Sequence, residues 1–167
     1  MAFKEHFGNK ALQKWEDKQL IARQPKALEK YRAMLKEKIQ YFKVTQYFFF
    51  QQWKALKAYA NRKGIQIIGD MPIYVAADSV EVWTKPELFQ LDAERNPRFV
   101  AGVPADQFSA TGQLWGNPLY DWEEHKKQGY TWWIHRIEES FKIYDVLRID
   151  HFKGFSDYWQ VDGKADI

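Results

Sequence analysis

Gly64-Ile65-Gln66-Ile67-Ile68-Gly69-Asp70 and, further along, Asp145-Val146-Leu147-Arg148-Ile149-Asp150-His151-Phe152 decide how this chain is read. The first is a short, β-branched apolar run directly behind a helical stretch, the composition of a strand buried in a parallel sheet. Met71-Pro72-Ile73-Tyr74-Val75 extends it, but Pro72 has no N–H for a central ladder, so regular pairing is expected to stop near Asp70. The second run reads as a strand that alternates. Leu147 and Ile149 share one face, and Val146, Arg148 and Asp150 share the other. An Arg and an Asp on an inward face are costly if buried and unpaired. Paired at the carboxyl end of a parallel strand, they stand where barrel active sites are built. Spacing alone serves a structural ion pair equally well.

Outward from these strands, Pro25 to Lys63 contains no internal Pro or Gly. Leu28, Tyr31, Leu35, Ile39 and Phe42, then Trp53, Leu56, Tyr59 and Ala60, recur at helical spacing. Pro25 suits a first turn and Gly64 a C-terminal cap. Unbroken, this helix would run about 57 Å, so a bend or an outlying arm is expected. Phe48-Phe49-Phe50 is apolar on more than one helix face, which predicts burial on several sides. Residues 76–121 hold Pro86, Pro97, Pro104 and Pro118 with Gly102, Gly112 and Gly116, and read as loop-rich. A helical turn is expected around Val80–Trp83, with Asp78 and Ser79 placed to cap it. A connection this long inside a compact domain is usually functional. Trp122 to Tyr144 returns to helical spacing, with Trp133, Ile137 and Phe141 on one side.

The 167 residues include no cysteine, which excludes a disulfide scaffold, a thiolate metal site and a cysteine nucleophile. A hydrophobic fraction of 46% supports a packed core. No apolar run reaches the roughly 18 residues of a membrane span. Met1-Ala2-Phe3-Lys4-Glu5-His6 lacks the apolar stretch of a signal peptide, so a cytoplasmic setting is expected. The 8 Trp, 9 Tyr and 12 Phe make either a large aromatic core or flat faces matched to sugar rings. Charge is split: residues 1–63 balance to +10 and residues 64–167 to −7. The basic front reads as a solvated helix face or as a nucleic-acid footprint. The aromatics lie within the apolar stripe, not between the cations, and no helix-turn-helix, RNP-like or zinc-finger pattern occurs.

Three stretches then carry a family likeness. Gly69-Asp70-Met71-Pro72-Ile73-Tyr74-Val75-Ala76, with Asp78-Ser79 and Val82-Trp83, resembles the third-strand motif of the amylomaltases, the 4-α-glucanotransferases of glycoside hydrolase family 77. Gly102-Val103-Pro104-Ala105-Asp106-Gln107-Phe108-Ser109, followed by Thr111-Gly112-Gln113-Leu114-Trp115-Gly116-Asn117-Pro118-Leu119-Tyr120, resembles that family's mobile active-site loop. Arg148-Ile149-Asp150-His151-Phe152-Lys153-Gly154 resembles its fourth-strand nucleophile motif.

The resemblance implies an α/β fold. It would be a partial (β/α)8 TIM barrel, with residues 1–63 as a long helical insertion and 64–167 as the segment bearing strands three and four. It implies retaining transfer of α-1,4-glucan segments to a glucose or maltodextrin acceptor, with no cofactor and no metal. Asp150 would be the nucleophile. Arg148 would orient it and keep it ionised. His151, Asp70, Tyr74, Asp106, Gln113, Trp115 and Asn117 would contact the sugar, Asp70 more by ordering the site than by reacting. The partner carboxyl, about 5–5.5 Å from the nucleophile in retaining enzymes, would be a Glu on the fifth strand. A further Asp on the seventh would grip sugar hydroxyls. Glu138 and Glu139 lie on the helix before the nucleophile strand and are not candidates for the acid. A whole barrel takes eight strands and typically ~250 residues, so this chain alone is expected to be inactive. Open sheet edges would favour self-association. The expected partners are maltooligosaccharides, with neither nucleic acid nor membrane. The other classes are a non-catalytic glucan-binding fragment and a basic helical nucleic-acid-binding module.

Overall fold

The computed structural model describes residues 1–107 and 109–165. Among them the α-helices are α1 (Ala2–His6), α2 (Lys18–Ile21), α3 (Pro25–Met34), α4 (Lys36–Arg62), α5 (Val80–Thr84), α6 (Trp122–Lys127) and α7 (Thr131–Ile143). The strands are β1 (Ile68–Pro72), β2 (Phe99–Val103), β3 (Gln113–Pro118), β4 (Val146–Asp150) and β5 (Trp159–Asp162). β1 and β4 form a two-stranded sheet, and β3-β2-β5 a three-stranded one. The fold is mixed α/β, and among the described residues the two sheets are open and form no closed barrel. Two compact units interleave along the chain: Met1–Gly69 with Arg136–Arg148, and Asp70–His135 with Ile149–Ile167.

In the first unit the long helical stretch breaks at Leu35 (φ −105°, ψ 20°), with Pro25 in the first turn of α3. Phe7 stacks on Trp15 at 4.8 Å and lies 5.6 Å from the ring of Tyr31. Leu12, Leu20 and Ile21 are buried in the same unit. Asp17 starts α2 by accepting the N–H groups of Gln19 and Leu20 at 2.9 and 3.1 Å, satisfying donors that a helix start leaves open. α4 ends as the sequence predicts. Gly64 turns left-handed at φ +74°. Its N–H bonds the Asn61 carbonyl at 3.0 Å, and that of Ile65 bonds Ala60 at 3.1 Å, the two bonds of a Schellman cap. A methyl at Gly64 meets nothing within 4 Å, so Gly64→Ala tests backbone strain alone. It is expected to cost about 1 kcal/mol, seen as a lower urea midpoint with an unchanged slope.

The far half of α4 holds the entry to β1 and β4. Trp53 donates its indole N–H to the Ile143 carbonyl at 2.9 Å. Lys57 Nζ donates to the carbonyls of Phe141 (3.0 Å) and Tyr144 (2.7 Å), placing a cation at the negative end of α7. The Asp145 carboxylate accepts the Ile67 N–H at 2.9 Å and the Asn61 amide at 2.8 Å, and lies 3.4 Å from Lys57 Nζ. The Ile67 bond leads these contacts in holding the Asp145 carboxyl below its ordinary range.

Several expectations are corrected. Phe48, Phe49 and Phe50 are 56%, 50% and 46% exposed, and no residue of α4 is buried. Three consecutive helical residues point in three directions, and this unit covers only the side bearing Trp53 and Lys57. On α7, Trp133 is buried but Phe141 is exposed. The helical stretch from Trp122 is also interrupted, with Gly129 and Tyr130 both at positive φ between α6 and α7. β1 begins at Ile68 and runs through Pro72. Pro72 is the last residue of a strand in a two-stranded sheet, where a missing N–H removes no central ladder bond. β4 stops at Asp150, before His151 and Phe152.

In the second unit, residues 76–121 hold far more structure than a loop. Ser79 caps α5 through the Val82 N–H at 3.4 Å, as expected. β2 is the central strand, antiparallel to both β3 and β5. Pro104, Gly112 and Pro118 punctuate strand ends rather than mark continuous loop. Gly102 is required inside β2, because a Cβ there would sit 2.5 Å from the Gln113 carbonyl oxygen. Ile73, Val82, Leu88, Ala101, Leu119 and Tyr120 are almost fully buried in this unit.

Candidate functional site

The site begins where β4 ends. Asp150 is the last strand residue and is exposed. The next residue, His151, adopts the left-handed conformation (φ 53°, ψ 44°) and leads into a 3-10 turn, Phe152–Phe155. Such a conformation is costly for a non-glycine residue, and it swings the imidazole out of the strand's alternation. The His151 ring meets Trp115 of β3 edge-on, at 4.9 Å and 88°. Tyr74 lies 6.3 Å from each of these rings. Gly154 makes this packing possible. A Cβ there would lie 2.9 Å from Ile73 Cδ1, and 3.1 Å from both His151 Cδ2 and the Tyr74 hydroxyl.

The loop residues fall into two groups. Trp115, 36% exposed, donates its indole N–H to Gln113 Oε1 at 2.9 Å, so these two form one surface beside His151. Asn117 donates its side-chain amide inward, to the Val75 carbonyl at 2.9 Å. Asp106 accepts the Ser109 N–H at 2.8 Å, and Ser109 Oγ donates to the Gly112 carbonyl at 2.7 Å. The Asp106 carboxylate thus helps shape its own turn. Phe108 of the same motif lies outside the described residues.

Tyr74 is buried, and among the described residues its hydroxyl has no hydrogen-bond partner. Burial, then the nearby Tyr158, pushes its pKa up to about 12, so the phenol stays neutral near pH 7. Asp70 takes an exposed position on β1 next to buried Met71. Arg148 shares the exposed positions of β4 with Val146 and Asp150, as the alternation predicts. The structure thus brings Tyr74, Gln113, Trp115 and His151 together, and ties Asp106 and Asn117 into backbone contacts. Sequence reasoning quoted Gly154 and Tyr120 inside the motifs without giving either a role. The available signal was a glycine three residues beyond His151, where close approach of a backbone is a usual cause.

Behind this surface, His125 is 1% exposed. It lies 5.3 Å from the rings of Tyr120 and Trp122 and 5.7 Å from that of Trp132. Among the described residues neither ring nitrogen has a partner in hydrogen-bond geometry. Burial lowers its pKa, opposed by the Leu88 carbonyl, Asp121 and Glu124. The folded state therefore resists a proton that the unfolded chain accepts near pH 6.5. His125 favours folding fully above that pH, and this contribution is lost as pH falls toward the lowered folded value. Urea midpoints are expected to drop between pH 7.5 and pH 5 in the wild type. His125→Leu is expected to flatten the drop, and an equal drop in the variant would remove His125 as its source.

Among the described residues no group of three or more His, Asp or Glu is placed to hold a metal ion. Among them, too, no helix is long and apolar enough to cross a membrane.

The geometry can be set beside known proteins. Residues 1–166 match the model of the family described as Glyco_hydro_77, 4-alpha-glucanotransferase. A 4-alpha-glucanotransferase of Streptococcus pneumoniae is 57% identical over 99% of this chain, which spans 33% of that relative's length. One from Thermus thermophilus is 48% identical over 96% of the chain, spanning 32% of the relative. The solved structure of an amylomaltase from Streptococcus agalactiae in complex with acarbose superposes with a TM-score of 0.96 at 64% identity. It covers 99% of this chain and 34% of that one. The chain thus spans about a third of the length of the relatives it matches. A family model that covers the chain almost end to end, with the strand, loop and turn motifs folded as described, places this protein in the 4-alpha-glucanotransferase family.

Proposed function

We propose that this chain supplies the nucleophile and one wall of the sugar site to a 4-α-glucanotransferase. In this reading β1 and β4 are the third and fourth strands of a (β/α)8 barrel. Residues 1–63 are a helical insertion, and 64–167 are part of the catalytic domain. The observation that carries the reading is the end of β4. Asp150 is exposed there, and the left-handed His151 beside it meets Trp115 at 4.9 Å. An ionised Asp150 attacks the anomeric carbon and displaces the leaving sugar, which takes a proton from a general acid. The conjugate base left behind then deprotonates an acceptor hydroxyl, whose oxygen attacks the anomeric carbon and breaks the glycosyl ester, freeing the Asp150 carboxylate. Arg148 orients Asp150 and keeps it charged. His151 bonds a sugar hydroxyl, and Asp70 orders the site. Trp115, held by Gln113, offers an apolar face to a sugar ring. Asp106 and Asn117 reach the sugar with whatever bonding capacity their backbone contacts leave, and Tyr74 lies beneath the surface. Transfer to a sugar in preference to water requires partial exclusion of solvent, a task that suits the loop around Trp115.

The general acid is the one reacting group that these residues do not offer, so the chain alone is inactive in this reading. Its setting is the cytoplasm, and its exposed apolar residues, among them Ile68 and Val146, favour self-association. Two measurements test the proposal. Maltotriose titrated into the purified chain is expected to change tryptophan fluorescence, and Trp115→Phe is expected to abolish most of the change. An unchanged signal in the variant would take Trp115 out of the sugar site. Conversion of maltotriose to glucose and longer maltodextrins by the chain, free of host enzyme, would overturn the inactivity.

A further inference from the structure

Tyr120 is 1% exposed and stands where the aromatic core of the second unit meets the candidate site. Its ring packs against Phe89 at 5.3 Å and Trp133 at 5.2 Å. It is also stacked on Tyr74, at 5.9 Å and 21°. Its hydroxyl donates to the Ile73 carbonyl at 2.6 Å, and Asn117 donates to the Val75 carbonyl at 2.9 Å. These two bonds grip the residues on either side of Tyr74. Among the described residues the Tyr74 hydroxyl has no hydrogen-bond partner, so no bond of its own holds the ring, and the two straps and the stack on Tyr120 help to place it. Tyr74 in turn is the common neighbour of Trp115 and His151.

We propose that Tyr120 is a positioning residue for the sugar site, fixing Tyr74 and through it the relative placement of Trp115 and His151. This rests on the sugar-site reading above. At 1% exposure Tyr120 acts through these residues and not by touching the sugar. The test uses the whole 167-residue chain with Tyr120→Phe, which keeps the ring and removes only the hydroxyl. The readouts are the imidazole signals of His151 and the indole N–H signal of Trp115 in NMR spectra, and the affinity for maltotriose, all well below the unfolding temperature. Leu20→Ala, a fully buried change in the first unit, is the stability control. Tyr120→Phe is expected to move both signals and to weaken maltotriose about tenfold, the scale of one buried hydrogen bond. Leu20→Ala is expected to lower the melting temperature and move neither signal. Coincident His151 and Trp115 signals in Tyr120→Phe and wild type overturn the proposal, as does equal weakening by Leu20→Ala or undiminished affinity in Tyr120→Phe. If the wild-type chain binds no maltotriose, the sugar-site reading fails, and moved signals still establish the positioning. If Tyr120→Phe does not fold, Asn117→Ala removes the other strap and must move the same two signals, or the proposal falls.

Discussion

Asp150→Asn is expected to reduce glucanotransfer by about 10^4-fold or more, roughly 5.4 kcal/mol of transition-state stabilisation. The measurement needs a protein of full family length in which this chain replaces the corresponding third. Asn preserves the size of the side chain but cannot form a glycosyl ester, so the covalent route closes while the strand end stays intact. Asp150 is exposed at the last position of β4, so its replacement opens no cavity and the melting temperature is expected to stay within a few degrees of wild type. A second observation separates a nucleophile from a merely charged neighbour. In Asp150→Gly, added azide can enter the vacated space and attack the anomeric carbon of an activated α-glucoside from the same side as the lost carboxylate. The product is then the β-glucosyl azide, one inversion instead of two. An α-configured product, or full turnover by Asp150→Asn, would remove Asp150 from the nucleophile role.

What the sequence disclosed follows the physics of each element. The alternation of Val146 to Asp150 was readable because a strand with one half-buried face has a period of two. The start of α3 at Pro25 and the cap at Gly64 were readable because each rests on local backbone geometry. The three-stranded sheet was not. β2, β3 and β5 have 5, 6 and 4 residues, and β2 is buried at its three central positions instead of alternately. Its partner β5 is far away in sequence, so no local pattern announces the pairing. Phe48 to Phe50 misled for the opposite reason. Hydrophobic residues state a preference for burial, and only packing decides whether a given unit supplies the cover. At the site, residue types pointed to His151 and Trp115, but the left-handed turn that brings the two rings together is a tertiary fact. The inward bond of Asn117 and the buried stack of Tyr120 on Tyr74 have no sequence period at all.

A large stability effect is expected from Gly69→Ala. Gly69 is buried in β1, and a Cβ there would lie 2.1 Å from Tyr144 Cδ2 and 2.3 Å from its Cγ. The ring of Tyr144 lies directly over the glycine, so the methyl can be accommodated only if Tyr144 moves. Its backbone is pinned on both sides. The Tyr144 N–H bonds the Ser140 carbonyl at 2.9 Å, and its own carbonyl accepts Lys57 Nζ at 2.7 Å. The next residue, Asp145, is held by Ile67 and Asn61. A pinned neighbour puts the substitution at the costly end of overpacking, about 3 kcal/mol. For a chain of this size that lowers the melting temperature by roughly 6–12 °C. The steric cause is separable from any intrinsic preference of the strand, which favours Ala over Gly. Tyr144→Ala in the same chain removes the obstructing ring, so adding Gly69→Ala to it is expected to cost less than about 0.5 kcal/mol. The coupling between the two sites then approaches the full 3 kcal/mol, far above the error of a double-mutant cycle. Additive losses would mean that Gly69 is required by its backbone and not by the ring above it. Because the Tyr144–Asp145 link leads directly into β4, a displaced ring is also expected to disturb the start of the strand that ends in Asp150. Hydrogen exchange at Val146 and Leu147 would report that as faster opening in Gly69→Ala than in wild type, with no further change when Gly69→Ala is added to Tyr144→Ala.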